Sequence, residues 1–268
     1  MNARFSLLLV SALLVGAAVY LWLQPAPTPP QPGSPPAAEA PARSSVPRTG
    51  SAASDQFLIL AVSWQPAFCE GARNRPECTT MTRSRFDASH FSLHGLWPRD
   101  QYCGVSSSIE QLDRDGRWQQ LPPVELPAAL RQTLDEVMPG TRSQLERHEW
   151  IKHGTCFGSD VAGYYTAATS LLAQLNASRV RDLFAGSVGR HLSEAEIRAA
   201  FDEIYGSGIG ERVRLACADD GGRRIISELT IGLWGTVTEA SRLSDLMRAA
   251  RPTDGGCPGG IVDPVGLQ

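Results

Sequence analysis

The stretch "ERVRLACADDGGRRIISELTI", residues 211–231, decides the fold class. Its flanks, ERVRLAC (211–217) and RRIISELTI (223–231), carry strand-forming apolar residues, and ADDGG between them has the composition of a turn, so the whole reads as a β-hairpin. Upstream, FLILAVSW (57–64) is an unbroken apolar run of buried-strand length. A further short strand is expected at about residues 89–94, stopped by Gly95 and Pro98, with a polar loop over 99–120. Between and after these lie helical patterns: PAALRQTLDEVM (127–138), a segment from about Arg142 to His153 with Gly154 as its cap, and DVAGYYTAATSLLAQLN (160–176). Ser193 and Glu196 form a capping box that opens another helix, through about Tyr205. Strands and helices are mixed, with no repeated βα unit and no internal repeat. That pattern is α+β.

Outside this region the chain changes character. Residues 5–23 carry no charge, follow Arg4 and are about long enough to span a bilayer, so residues 1–24 read as a signal peptide or an uncleaved signal-anchor. Residues 25–54 are rich in Pro, Ala and Ser with no apolar period, a disordered linker that cannot bury a core. Residues 55–268 are then left for one domain. An exported chain is expected either way, periplasmic or secreted, and a membrane tether is one of the two outcomes.

Six cysteines, Cys69, Cys78, Cys103, Cys156, Cys217 and Cys257, fall in that domain without a C-x-x-C pair. A zinc ribbon is disfavoured, and an even count in an exported chain reads as three disulfides, whose connectivity spacing alone leaves open. The net charge of −3 gives no global basic footprint, so any recognition of a polyanion must be local.

The densest chemistry is HEWIKHGTC, residues 148–156, which holds Lys152, the only lysine in the chain. On a helix His148, Lys152, Glu149 and His153 fall at roughly 0°, 40°, 100° and 140°, with Trp150 and Ile151 off that arc. A solvated charged face would share this pattern, but four of the five histidines lie here or in HFSLHGLWP (90–98), at His90 and His94. In a strand, His90 and His94 would share one side. His191 lies elsewhere and reads as surface packing. Two imidazoles can serve as acid and base near neutrality, and an ammonium can steady charge developing on a phosphate. No serine or cysteine nucleophile signature accompanies them. RNA would supply its own nucleophile, the 2′-hydroxyl.

FSLHGLWP and HEWIKHGTC resemble the two active-site segments of the ribonuclease T2 family, in the family's order and at a similar separation, and the likeness extends to LAVSWQPAFC (60–69). The resemblance implies an α+β fold with a central antiparallel sheet, packed helices and a single RNA-cleaving domain. It implies His153 as base toward the 2′-hydroxyl, His94 as acid for the leaving 5′-oxygen, Glu149 and Lys152 as the pair acting on the phosphate, and His148 as a phosphate contact. Trp97 matches a base-stacking residue, Tyr102 a second, and Gln65 is a weaker base contact. The pairs Cys69–Cys78, Cys103–Cys156 and Cys217–Cys257 follow from the same comparison. It implies 2′,3′-cyclic phosphate products later opened by water, low base specificity, no activity on DNA, and neither metal nor cofactor. Where several fungal relatives carry aspartate after LWP, this chain has Arg99 and then Asp100, which bears on base preference.

Two rival readings stand beside this one. H-E-x-x-x-H within HEWIKH has the look of a metal-dependent hydrolase, against which the enclosed lysine would repel a divalent cation. A catalytically silent RNA-binding or signalling member is the other, against which the intact set His94, Glu149, Lys152 and His153 argues. Nothing in the sequence points to an oligomer.

Overall fold

Strand β1 (Gln56–Ser63) lies inside the sheet, between two antiparallel neighbours. A computed structural model describes residues 55–268; the expected leader or anchor (1–24) and linker (25–54) lie outside the described residues. After β1 come α1 (Gln65–Gly71), α2 (Pro76–Thr79) and β2 (Ser92–Pro98), then α3 (Ser107–Arg114), α4 (Ala128–Val137), α5 (Leu145–Lys152), α6 (Val161–Asn176) and α7 (Arg179–Ala185). The C-terminal part adds β3 (His191–Ser193), α8 (Glu194–Tyr205), β4 (Val213–Asp220), β5 (Arg223–Gly235), α9 (Leu243–Ala249) and β6 (Gly259–Ile261).

The strands form one sheet in the order β2-β1-β5-β6-β3, with β4 on the other edge of β5. Pairings between these strands are antiparallel except one parallel step, Ile225 to Ile261, between β5 and β6, and isolated parallel bridges join Val188 to Val262 and Leu215 to Gly256. The β4–β5 hairpin turns at Gly221 and Gly222, both at positive φ, where a Cβ would be strained. Leu58, Leu60 and Val62 of β1 are fully buried on the inner face. Helix α6 packs there with Tyr164, Tyr165, Ala168, Leu171, Leu172 and Leu175, each of the larger side chains worth ~1.5–3 kcal/mol of burial. Asp160 caps this helix by accepting from Gly163 N at 2.8 Å. At the open edge of β2 the Tyr164 hydroxyl donates to Leu96 O and accepts from Leu96 N, at 3.0 and 3.3 Å, so that edge residue is satisfied without another strand.

The disulfides are Cys69–Cys78, Cys103–Cys156 and Cys217–Cys257. The second closes a 53-residue separation, which by chain entropy contributes roughly 4 kcal/mol.

Several expectations change. The second strand does not stop at Gly95 but runs through it to Pro98, with a bulge that places Ala61 opposite Gly95 and Val62 opposite Leu93. Residues 99–120 are not all loop: α3 forms there, helped by an i,i+4 Glu110–Arg114 pair at 2.6 Å, and Trp118–Gln120 is a 3-10 turn. The helix expected from Arg142 begins only at Leu145, because Pro139–Ser143 is a 3-10 turn and Gln144 adopts φ 61°. Gly154 is not a left-handed cap. It is glycine because a Cβ there would lie 2.2 Å from Trp150 Cε3. Helices α7 and α9, unforeseen, are short pieces fixed by packing. Among the described residues no helix is long and apolar enough to cross a membrane.

Candidate active site

The bulge in β2 explains how His94 reaches the cleft. Ala61 and Val62 take Gly95 and Leu93 as partners, so His94 is the extra residue, and bulges re-aim side chains in this way. Leu93 is buried inward, Gly95 faces outward with Ala61, and His94 projects to the outer side as well. Its Nδ1 donates to Glu228 Oε2 on β5 at 2.5 Å, and its Nε2 lies 3.6 Å from Glu149 Oε1. Packing around the ring pulls its pKa down, but the Glu228 hydrogen bond and the charges of Glu149 and Glu228 outweigh this and Lys152's opposition. The net shift is upward from 6.5.

Helix α5 supplies the rest. Glu149 is 1% exposed; its Oε2 accepts from Trp97 Nε1 at 2.7 Å, while Oε1 has no hydrogen-bond partner among the described residues. That free oxygen sits between His94 Nε2 and His148 Nε2, at 3.6 and 3.7 Å. Burial raises the Glu149 carboxyl above its usual range, against the pull of His94, His148, Trp97 and Lys152. Gly95 makes room for this carboxylate: a Cβ there would lie 1.9 Å from Glu149 Oε2.

His153, just past α5, is buried beneath Trp97, ring centroids 5.4 Å apart, and its buried Nδ1 finds no partner among the described residues. Burial, and then the charges of Lys152, His148 and His94, lower its pKa to about 3. His148 donates from Nδ1 to Asp113 Oδ1 at 2.8 Å and stacks on Trp118 at 4.7 Å; Arg75 lies over that tryptophan at 5.4 Å. Lys152 pairs with no carboxylate among the described residues and faces a cavity with Tyr102, Asp113 and His148.

Tyr102 adopts φ 57°, unusual for a residue with a Cβ, held by its N–H to Lys152 O at 2.9 Å, its hydroxyl to Asp113 Oδ2 at 2.9 Å and the adjoining Cys103–Cys156 bridge. Gln65 is buried and lines a separate cleft of about 240 Å³ with His94, Glu228 and Trp118. His90 is not in the site: it lies before β2, stacked on Phe86, with Nδ1 donating to Phe86 O at 3.0 Å. Among the described residues no group of three His, Cys, Asp or Glu is placed to hold a metal ion.

Three residues beside these side chains were not foreseen. Glu228 had a signal, an isolated carboxylate in the apolar run IISELTI. Asp113 and Trp118 had none, since they lie where a loop was expected.

On an α+β frame, two imidazoles biased in opposite directions stand beside a buried carboxylate, a set suited to acid–base chemistry. The chain belongs to the Ribonuclease T2 family, whose model matches residues 55–245, and it is an RNA-cleaving enzyme. It is 29% identical to Ribonuclease I of Escherichia coli (strain K12) over 228 residues, 74% of this chain and 82% of that protein. A ribonuclease of Aeromonas hydrophila is 31% identical over 129 residues, 48% of this chain and 50% of that one, so the chain spans about half of that relative. Japanese pear S3-RNase is similar in fold, with a TM-score of 0.50 at 16% identity over 77% of this chain and 98% of that chain.

Proposed function

We propose that the protein is a metal-independent endoribonuclease that cleaves single-stranded RNA by transphosphorylation, with His153 as base and His94 as acid. The observation that carries this reading is the opposite bias of the two imidazoles: His153, buried under Trp97, is lowered to about 3, while His94, hydrogen-bonded to Glu228, is shifted upward, toward its protonated form. A neutral imidazole accepts the 2′-hydroxyl proton, the oxygen attacks the phosphorus, and the P–O5′ bond breaks as His94 protonates the leaving oxygen. A 2′,3′-cyclic phosphate results, and water opens it in the reverse sense to a 3′-phosphate. Lys152 meets the non-bridging oxygens as charge builds, and Glu149, whose Oε1 lies between His94 and His148, is its partner in acting on the phosphate. His148, oriented by Asp113, contacts the phosphate. Trp97 and, in the cavity with Lys152 and His148, Tyr102 are the aromatic residues offered to bases, and Gln65 lies on the His94 side.

Residues 55–268 form the catalytic domain in this reading, with residues 1–24 as signal or anchor and 25–54 as linker. Three disulfides support export to an oxidising compartment. One chain carries every site residue, which supports action as a monomer. The test is a dinucleoside phosphate with excess chelator, followed by phosphorus NMR, beside the deoxy analogue. A cyclic phosphate intermediate and an inert deoxy substrate are expected. Chelator-abolished turnover, direct formation of a 3′-phosphate without the cyclic species, or deoxy cleavage would refute the chemistry.

A further inference from the structure

The outer face of the sheet continues beyond Trp97 into a groove that the chemistry above does not use. A cavity of about 750 Å³ runs from His153 and Trp97 over Phe57 and Ile59 to Trp234, with Arg99 and Arg251 on its rims and no aspartate or glutamate in its lining. The register explains the alignment: Trp97 lies opposite Ile59 and Trp234 opposite Phe57, so all four project to one face. Two strand spacings and a two-residue offset separate the two tryptophans by roughly 12 Å at the backbone. Trp234 is 45% exposed, although it is the largest side-chain type and has an apolar core beneath it. Neither Arg99 nor Arg251 forms an ion pair or side-chain hydrogen bond among the described residues, in a chain where many arginines are paired. A smaller cavity of about 270 Å³ continues along the same face past Gly232 and Arg251.

The two sides of the site differ in charge. The cleft beside His94 mixes Glu77 and Glu228 with Arg75, whereas the groove beside His153 has arginines and no carboxylate. If His153 takes the 2′-hydroxyl proton, the nucleotide on its side is the one 5′ of the cut. We propose that this groove binds the single-stranded RNA segment extending 5′ of the cleaved bond, Trp234 stacking a base beyond the one at Trp97 and Arg251 and Arg99 meeting its phosphates. An aromatic platform between unpaired arginines is the arrangement that holds single strands with little sequence preference. This rests on the acid and base roles given above, and it adds that the enzyme measures substrate length on one side only.

The test compares kcat/KM of the full-length protein on a dinucleoside phosphate and on oligoribonucleotides extended by increasing lengths at the 5′ or the 3′ end. The native protein should gain on 5′ extension and gain little on 3′ extension. Trp234→Ala should leave the dinucleoside phosphate unaffected, since that substrate ends at Trp97 and does not extend to Trp234, and lose ~5–150-fold of the gain on 5′ extension, as one stacked base implies. Trp234→Phe should retain most of it, and thermal midpoints report folding. Arg251→Gln should lessen the salt dependence on the 5′-extended substrate by about 0.7 in log–log slope. Equal rates on all lengths, or a Trp234→Ala loss that is the same on the dinucleoside, overturns the groove. A gain on 3′ extension that Trp234→Ala removes overturns its polarity. If the native protein cleaves none of these substrates, the ribonuclease chemistry itself fails, a result distinct from all the others.

Discussion

His153→Gln tests whether the buried imidazole is neutral for the electrostatic reason given. In the folded chain the residue is 4% exposed and its pKa is lowered to about 3, by burial first and then by Lys152, His148 and His94. The unfolded chain takes up the same proton near 6.5. Between these values the unfolded state holds more protons than the folded one, so stability present above pH ~6.5 is lost as pH falls toward ~3. At about pH 5 the difference amounts to roughly 1.5 pH units, or about 2 kcal/mol, and at about pH 8 it vanishes. Glutamine is similar in reach and does not titrate. Whatever packing the substitution costs at pH 8, the variant should gain ~2 kcal/mol relative to the native protein on going to pH 5, or ~4–8 °C in midpoint. Thermal or urea unfolding of both proteins at the two pH values measures it, with RNA cleavage alongside, where the variant should lose most turnover. A native–variant difference that is the same at pH 5 and pH 8 would mean that the ring titrates alike in both states, and the assignment of His153 as a base free at acid pH would fall with it.

Other outcomes follow from the same geometry. Glu228→Gln removes a charge that holds the His94 proton, so the alkaline limb of the kcat/KM profile should move to lower pH while the acid limb stays; an unmoved alkaline limb would dissociate Glu228 from the acid. Gly95→Ala places a Cβ against Glu149 Oε2 and should cost ~1–3 kcal/mol of stability and break the Trp97–Glu149 bond, read from unfolding midpoints and turnover together. Lys152→Arg keeps the charge but enlarges the head group, and turnover on a dinucleoside phosphate should fall ~10²–10³-fold with the midpoint unchanged; native turnover would show that only positive potential matters there.

What the sequence disclosed and what it withheld divide along physical lines. His148, Glu149, Lys152 and His153 were legible because one helical turn fixes their spacing, and a single arc of a wheel already brings them together. His94 was legible as a residue but not as a geometry. A bulge depends on how two distant segments pair, and the strand pattern pointed to His90 as its companion, which the turn at Phe86 instead takes away. Glu228 is 134 residues from His94, and nothing local in β5 says which histidine it meets. Asp113 and Trp118 were hidden by a helix too short and too polar to announce itself. The hairpin, the capping box at Ser193 and the long helix α6 were legible because turn chemistry, capping and apolar period each decide locally.

The bulge is where these levels meet. One extra residue in β2 lets two successive positions, His94 and Gly95, face the same side of the sheet, which a regular strand forbids. The first brings an imidazole and the second brings the absence of a side chain, and both are required at once. Into the space beside Gly95 comes the Glu149 carboxylate, fixed by Trp97 Nε1 from the next outward position of the same strand. Its charge then falls on His94, which Glu228 already favours as a cation, while Lys152 and His148 lie toward His153 and help keep that ring neutral. Two histidines with the same intrinsic pKa are thereby driven apart, the condition for one to give a proton while the other takes one. On His153 the separation comes from burial first and then from the positive charge of its own segment. On His94 it comes from carboxylates brought from β5 and α5, and their reach to that ring depends on a strand that carries one residue too many.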